Sequence, residues 1–318
     1  MTVTAITSPV FVRETRWWNL ALRDARVRIG GGLLLAMLLI CVATLPWTTS
    51  EKSVLYYDHQ DASVPEKPPR LSPLWMAMGT DRIGHSLLGR CLIGGTISLT
   101  IGVSAAAISV GLGVAIGLIA GFCGGWIDAV LMRTVDILFG LPYILLVILL
   151  KIALEDPLKK HIFHGSGPAA NLVVLFLAIG LVSWLEMARV IRGQVLSLRS
   201  LPFVEAARAA GLGHWRIFTR HLLPNLVGPI TVYATLTVPS AILQESFLSF
   251  LGVGVQPPLP TWGSLAADGL MPALNPIDSR WWLLVFPCTL LAVTLLSLNF
   301  LGDGLRDLFD PKREAAKL

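Results

Sequence analysis

From Cys91 to Ile127 the chain carries no charged residue. That stretch exceeds the roughly 20 apolar residues that cross a bilayer as a helix. It confines the fold to elements whose backbone hydrogen bonds close within themselves. Uncharged runs recur at Ile29 to Pro46, Ile137 to Leu150, Asn171 to Leu185, Val227 to Gln244 and Trp281 to Gly302. Only 14% of residues are charged, against roughly a quarter in soluble domains. The expected fold is all-α, a polytopic membrane protein with six transmembrane helices. The run at Ile137 is short for a span, so the third helix is expected to take in residues around Ala129 to Asp136. Pro229 and Pro239 fall inside the fifth span, where neighbours must satisfy the freed carbonyls. Five arginines, Arg13, Arg16, Arg23, Arg26 and Arg28, precede the first run. A signal peptide competes with a first span there, but its apolar core starts nearer the terminus.

The connecting segments set the topology. Residues 47–91 are polar and proline-rich, with Trp47, Tyr56, Tyr57 and Trp75. They read as an external loop with little regular structure until about Met78, its aromatics in the interfacial belt. Lys151 to Pro168 and Gly252 to Arg280 read as second and third external loops. Of the 25 Lys and Arg, 16 fall on segments this topology places inside and 9 on those outside. That excess fits both termini in the cytoplasm. The net charge of +5 is spread over short loops, which leaves no footprint for nucleic acid.

Few polar residues lie in or beside the spans, and each has a bland reading beside a functional one. Gly113, Gly117 and Gly121 share one helical face and allow close packing in lipid. Arg133 is expected to pair with Asp136 or Asp128, a structural role being commoner than a transport one. Glu186 and Glu245 lie near the membrane and keep an ion-gradient-driven carrier open. His161-x-x-His164 would bind a metal if helical, but two histidines alone rarely make a site. Cys41, Cys91, Cys123 and Cys288 are far apart and show neither disulfide nor metal spacing. Gly102-Val103-Ser104-Ala105 has the Gly-x-Ser-x form of membrane serine proteases. Such a nucleophile needs a base within hydrogen-bond reach, and none of the six histidines lies in an expected span.

The one well-charged segment between long apolar runs in the C-terminal half is Glu205 to Pro224. It reads as two short helices broken at Gly211-Leu212-Gly213. Pro202 suits a first helical turn, and Glu205 beside it is favoured by the helix dipole. Ala206, Ala207 and Ala210 offer a small-residue face for close approach. Gly211 or Gly213 takes the left-handed conformation that ends a helix. Beyond the break, Trp215, Phe218 and Leu222 share a face, with Arg216 and Arg220 elsewhere. A compact helix–turn–helix at a membrane surface suits being gripped by a partner, and an ordinary loop helix between two spans fits the same pattern equally well.

Glu205-Ala206-Ala207, Gly211 and the closing Leu223-Pro224 resemble the EAA signature of ABC importer permeases; His221 stands where the longer consensus has Ile. Met78-Gly79-Thr80-Asp81-Arg82-Ile83-Gly84 resembles the Gly-Thr-Asp-x-x-Gly-Arg-Asp stretch of dipeptide/oligopeptide C-type subunits, with His85-Ser86 in place of Arg-Asp. Leu243 to Gly252, continuing through Gln256-Pro257-Pro258 to Trp262-Gly263, resembles the end of the fifth span and the following loop in that subfamily.

The resemblance covers roughly residues 25–312 and implies the type I ABC importer permease fold. It implies an N-terminal segment, first span and loop over 1–91, a five-helix core over 92–304 with a coupling segment at 203–224, and a cytoplasmic tail over 305–318. The implied function is half of the pore of an ATP-driven importer of di- or oligopeptides in a bacterial inner membrane. A second permease subunit would complete a heterodimer, two cytoplasmic ATPases would each grip one coupling helix, and an extracytoplasmic binding protein would deliver substrate. Glu205, Ala206, Ala207, Gly211, Leu223 and Pro224 would couple to the ATPase. Gln256, Pro257, Pro258, Trp262 and Gly263 would form an outer gate or docking loop. No Gly is followed by Lys anywhere in the chain, so a Gly-x-x-x-x-Gly-Lys-Ser/Thr phosphate loop is lacking. The chain is expected to be no enzyme and to bind no cofactor, with ATP-Mg held by the partner subunits. A nickel permease shares these motifs and remains the rival within the family.

Overall fold

The computed structural model describes residues 24–161 and 167–309. The main helices are α1 (Ala25–Thr48), α2 (Leu87–Cys123), α3 (Gly125–Phe139), α4 (Tyr143–His161), α5 (Pro168–Arg199), α6 (Pro202–Ala209), α7 (Leu223–Phe250), α8 (Trp262–Ala273) and α9 (Trp282–Phe309). Five of them, α1, α2, α5, α7 and α9, are long and apolar enough to cross a membrane. Taken as one span, α3 and α4 supply the sixth, broken by a 99° bend. His164, the arginines before residue 24 and the tail beyond 309 lie outside the described residues.

The centre is α2, packed between α5 and α7. A Cβ added to Gly117 would sit 2.5 Å from the Ala188 carbonyl oxygen of α5. One on Gly113 would sit 2.5 Å from the Met187 Cβ, and one on Gly121 would sit 2.8 Å from the Val195 Cβ. Gly180 of α5 returns the fit by receiving Ile108 of α2. Lipid tails are as apolar as leucine, so dispersion across a close backbone approach, rather than expulsion of water, holds such a pair. On the other side of α2, Gly102 meets Val238 and Ile242 of α7. The Gly-x-Ser-x stretch is therefore a packing position. The α1 helix lies along α9, with Gly30 against the Ser297 carbonyl.

Two expectations need correction. The third span, taken as one, does include Ala129 to Asp136, but it is bent, because Pro142 lacks an N–H and disfavours a helical residue before it. The chain turns at Gly140-Leu141-Pro142 instead. Arg133 pairs with neither Asp128 nor Asp136. Both carboxylates reach α5, Asp128 to Arg192 at 2.7 Å and Asp136 to Arg189 at 2.9 Å. Arg189 also lies 4.3 Å over the Phe139 ring. Nor does Lys151 begin a loop. It is buried within α4, and its ammonium donates to the Val253 and Gly254 carbonyls beyond α7. Periodicity along one strand of sequence does not contain these partners, 53 or more residues away.

Candidate functional site

The α6 helix closes with two paired backbone bonds. The Leu212 N–H donates to the Ala207 carbonyl at 3.1 Å, and the Gly211 N–H to the Arg208 carbonyl at 2.9 Å. This is the Schellman arrangement, which needs a left-handed residue after the C-cap. Gly211 supplies it with φ of 77°. Pro202 occupies the first turn, so the helix is fixed at both ends by residues whose backbone preferences match their places.

Its two faces differ. Val204 and Ala207 turn inward, with Ile217 and Leu222, against Phe122 at the end of α2 and Leu198 at the end of α5. Phe218 meets Phe122 edge-on, with ring centroids 5.7 Å apart. Glu205, Ala206, Arg208, Ala209 and Ala210 are exposed. Ala207 is therefore an anchor and not part of the outer face, and of the apolar stripe after Gly213, Leu222 is buried and Phe218 half-buried against the same cluster, joined by Ile217. The side chain of Trp215 lies outside the described residues. The second helix of the segment is not separate either. His214–Ile217 runs through a π turn at Phe218–Leu222 into α7. Leu223 and Pro224 lie exposed at the start of that span.

At the opposite end, residues 49–86 join α8 and the start of α9. Thr80, fully buried, donates to the Val64 carbonyl at 2.6 Å and accepts from the Lys67 N–H at 2.8 Å. The Trp282 indole N–H donates to the Thr80 carbonyl at 3.3 Å. Ser86 caps α2 through the Gly89 N–H at 3.2 Å. Asp81 accepts from the His85 ring and from Arg90, each at 2.7 Å. The segment Gly252 to Arg280 contains α8. Thr261 caps that helix in a reciprocal box with Ser264, bonds of 2.8 and 3.0 Å. The Thr261 hydroxyl also donates to the buried Glu245 carboxyl of α7 at 2.7 Å. Glu245 thus ties α7 to α8, with its second carboxyl oxygen unpartnered among the described residues.

Of the outer-loop residues, Gln256 and Pro257 are exposed and Pro258 is half-buried. Trp262 and Gly263 are buried and brace the loop. The Trp262 indole donates to the Cys91 carbonyl at 2.9 Å. A Cβ on Gly263 would sit 2.5 Å from the Ser246 Cα.

Residues 113–315 match the sequence profile of the binding-protein-dependent transport system inner membrane component. The chain belongs to that family. Among relatives of this inner membrane component, the oligopeptide transport system permease protein OppC of Escherichia coli is 42% identical over 90% of this chain and 87% of its own. OppC of Haemophilus influenzae is 40% identical over 88% of this chain and 83% of its own. The dipeptide transport system permease protein DppC of Bacillus subtilis is 39% identical over 88% of this chain and 81% of its own. The inward-facing MetNI methionine ABC transporter structure aligns at a TM-score of 0.53 and 19% identity, over 70% of this chain and 97% of that one. That likeness confirms the importer permease fold.

In this inner membrane component the Thr80–Arg90 stretch acts as a knot that seats the long loop on α2. Burial pushes the Asp81 carboxyl up, but the His85 hydrogen bond and the Arg90 charge outweigh it and hold the group at about 2. A carboxyl depressed from its ordinary value near ~4 stabilises the fold above that value. The contribution fades as pH falls through about 2. Asp81→Asn is expected to remove on the order of 2 kcal/mol at neutral pH. Limited proteolysis of residues 49–86 at pH 7 should then cut the variant faster than the wild type. Equal cutting would show that the knot does not hold the loop.

Proposed function

We propose that this chain is one of two permease subunits of an ATP-driven importer of di- or oligopeptides, and that α6 is its coupling helix. The observation that carries the reading is the two-faced α6. Its outer face presents Glu205, Ala206 and Arg208, while Val204 and Ala207 join it to the ends of α2, α5 and α7. A force on such a helix moves three spans together. The two-residue link from α5, and the close α2–α5 contact with no side chain at its glycines, leave little slack. The names of the permease relatives support peptide as substrate. The α6 end would lie in the cytoplasm with both termini. There two ATPase subunits holding ATP-Mg would each seat one coupling helix, one of them the α6 of this chain. A second permease would complete the pore, and an extracytoplasmic binding protein would deliver to the opposite end.

Purification of the tagged chain from its own membranes in mild detergent tests the reading. Two ATPases with phosphate loops and a second permease should copurify, and the reconstituted complex should take up labelled peptide only with ATP and the binding protein. Uptake that survives ATP depletion but collapses with the proton gradient would overturn it. Uptake of nickel and not of peptide would overturn the substrate.

A further inference from the structure

Between the α3–α4 bend, α5 and α7 lies a cavity of about 320 Å³, at the low end of the roughly 300–1,000 Å³ range of small-molecule sites. Its walls are largely apolar, Leu141, Leu146 and Val182 among them, yet they carry an ordered set of polar groups. Gln244 of α7 faces Tyr143 of α4, whose hydroxyl donates to the Gln244 side-chain oxygen. That contact fixes the amide and leaves its N–H₂ without a partner among the described residues. Three hydroxyls have already spent their protons on their own helices. Ser183 donates to the Ile179 carbonyl at 2.9 Å, Thr237 to Tyr233 at 2.8 Å and Ser240 to Leu236 at 3.0 Å. Their oxygens therefore offer acceptor lone pairs, that of Ser183 shared with the Tyr143 hydroxyl 3.2 Å away. One carboxylate lines the space among the described residues, Glu186, the first charge along α5 and exposed without an ion pair among those residues. It follows directly on the uncharged run Asn171 to Leu185, and an unpaired carboxylate that faces a cavity at such a place is a candidate substrate contact.

The set is complementary to a particular chemistry. Acceptor oxygens and one carboxylate suit a ligand with several N–H donors and an ammonium group. The lone amide donor suits a carbonyl. Among the described residues the lining holds no Lys, Arg, His or Cys, so it sets no cationic side chain against an anion and no nitrogen or sulfur ligand against a metal ion. Apolar walls accept side chains of varied size without selecting one. We propose that this cavity is the chain's substrate station, gripping a peptide by its free N-terminal ammonium at Glu186 and by its backbone amides at Gln244, Ser183, Thr237 and Ser240. Tyr143 is a positioning residue that orients the Gln244 amide. The assignment rests on the peptide-importer reading above.

The test is uptake by the complete reconstituted importer, with its own binding protein, of one labelled dipeptide in free-amine and N-acetylated forms. Binding-protein preference is common to all variants, so a change in the ratio between the two forms reports on this chain. Glu186→Gln should lower the preference for the free amine by roughly tenfold or more, the weight of one charge-assisted hydrogen bond. The amount of inserted chain should stay unchanged, and Glu186→Asp should keep the preference. Gln244→Leu should raise the half-saturating concentration of both forms by a similar few-fold factor, as loss of one neutral hydrogen bond does. An unchanged ratio in Glu186→Gln overturns the assignment, as does a parallel loss of both forms together with ATP hydrolysis. A wild-type importer that moves neither form defeats the peptide reading itself, which is a distinct result.

Discussion

Gly211→Val is expected to leave the chain inserted and paired with its partner permease while ATP-driven uptake falls sharply. Nothing lies within 4 Å of a Cβ built at this position, so crowding is not the cause. The cause is the backbone, because φ of 77° is a conformation that β-branched residues avoid. Holding such a residue there costs about 1–3 kcal/mol, which corresponds to a roughly 5- to 150-fold loss of the docked geometry. The alternative is to release the Schellman bonds and let α6 swing. Gly213 is the internal control, two residues on, with equally open space and no positive φ. Gly213→Ala should transport near the wild-type rate. Glu205→Lys, on the exposed face, should uncouple ATP hydrolysis from uptake without altering the amount of folded chain. Wild-type uptake by both Gly211→Val and Glu205→Lys would remove α6 from the coupling path.

Trp262→Ala is expected to cause the largest loss of stability at the other end. The side chain is 1% exposed, and its indole lies so close to Gly95 that a Cβ there would sit 2.5 Å from the ring. Cys41 of α1 lines the same space, and the backbone N–H of Trp262 reaches the Ser98 hydroxyl at 3.2 Å. The residue therefore joins α8, α2 and α1. Truncation to alanine leaves a cavity and removes the indole hydrogen bond to the Cys91 carbonyl, a change worth about 3–5 kcal/mol. Thermal unfolding of the purified complex should fall clearly for Trp262→Ala. Trp262→Phe keeps most of the apolar contact and should lose only about 1 kcal/mol for the missing hydrogen bond. Gln256→Ala, at an exposed position, should unfold at the wild-type temperature. A Trp262→Ala complex as stable as the wild type would show that the outer loop is held elsewhere.

The two ends of the molecule were not equally legible. At the α6 end the proline, the glutamate and the glycine each state a local backbone preference, and the helix forms where those preferences agree. What they do not state is direction. Ala206 and Ala207 are equivalent as small residues, yet one faces outward and the other is clamped by Phe122 and Leu198. In the loop between α7 and α8 the family resemblance implied a gate or docking role for Trp262 and Gly263, and in this structure both are buried. A tryptophan indole and a side-chain-free backbone serve exposed docking and tight packing equally well, so sequence alone does not separate the two. The α8 helix was missed because twelve residues with an internal proline give a weak periodic signal beside the spans.

The sequence by itself determined that this chain crosses a membrane as helices, where those helices run, which glycine face packs closely and where a capped helix would interrupt the spans. All of these follow from hydrocarbon solvation and from backbone preferences confined to a few neighbouring residues. Tertiary structure alone decided the partners of Asp128, Asp136 and Lys151, the inward turn of Ala207, the burial of Trp262 and the meeting of Tyr143, Ser183 and Gln244 in one cavity. Each of those depends on contacts between residues far apart in the chain. Their energy comes from burial and hydrogen bonding between helices, and no local pattern records which helices meet.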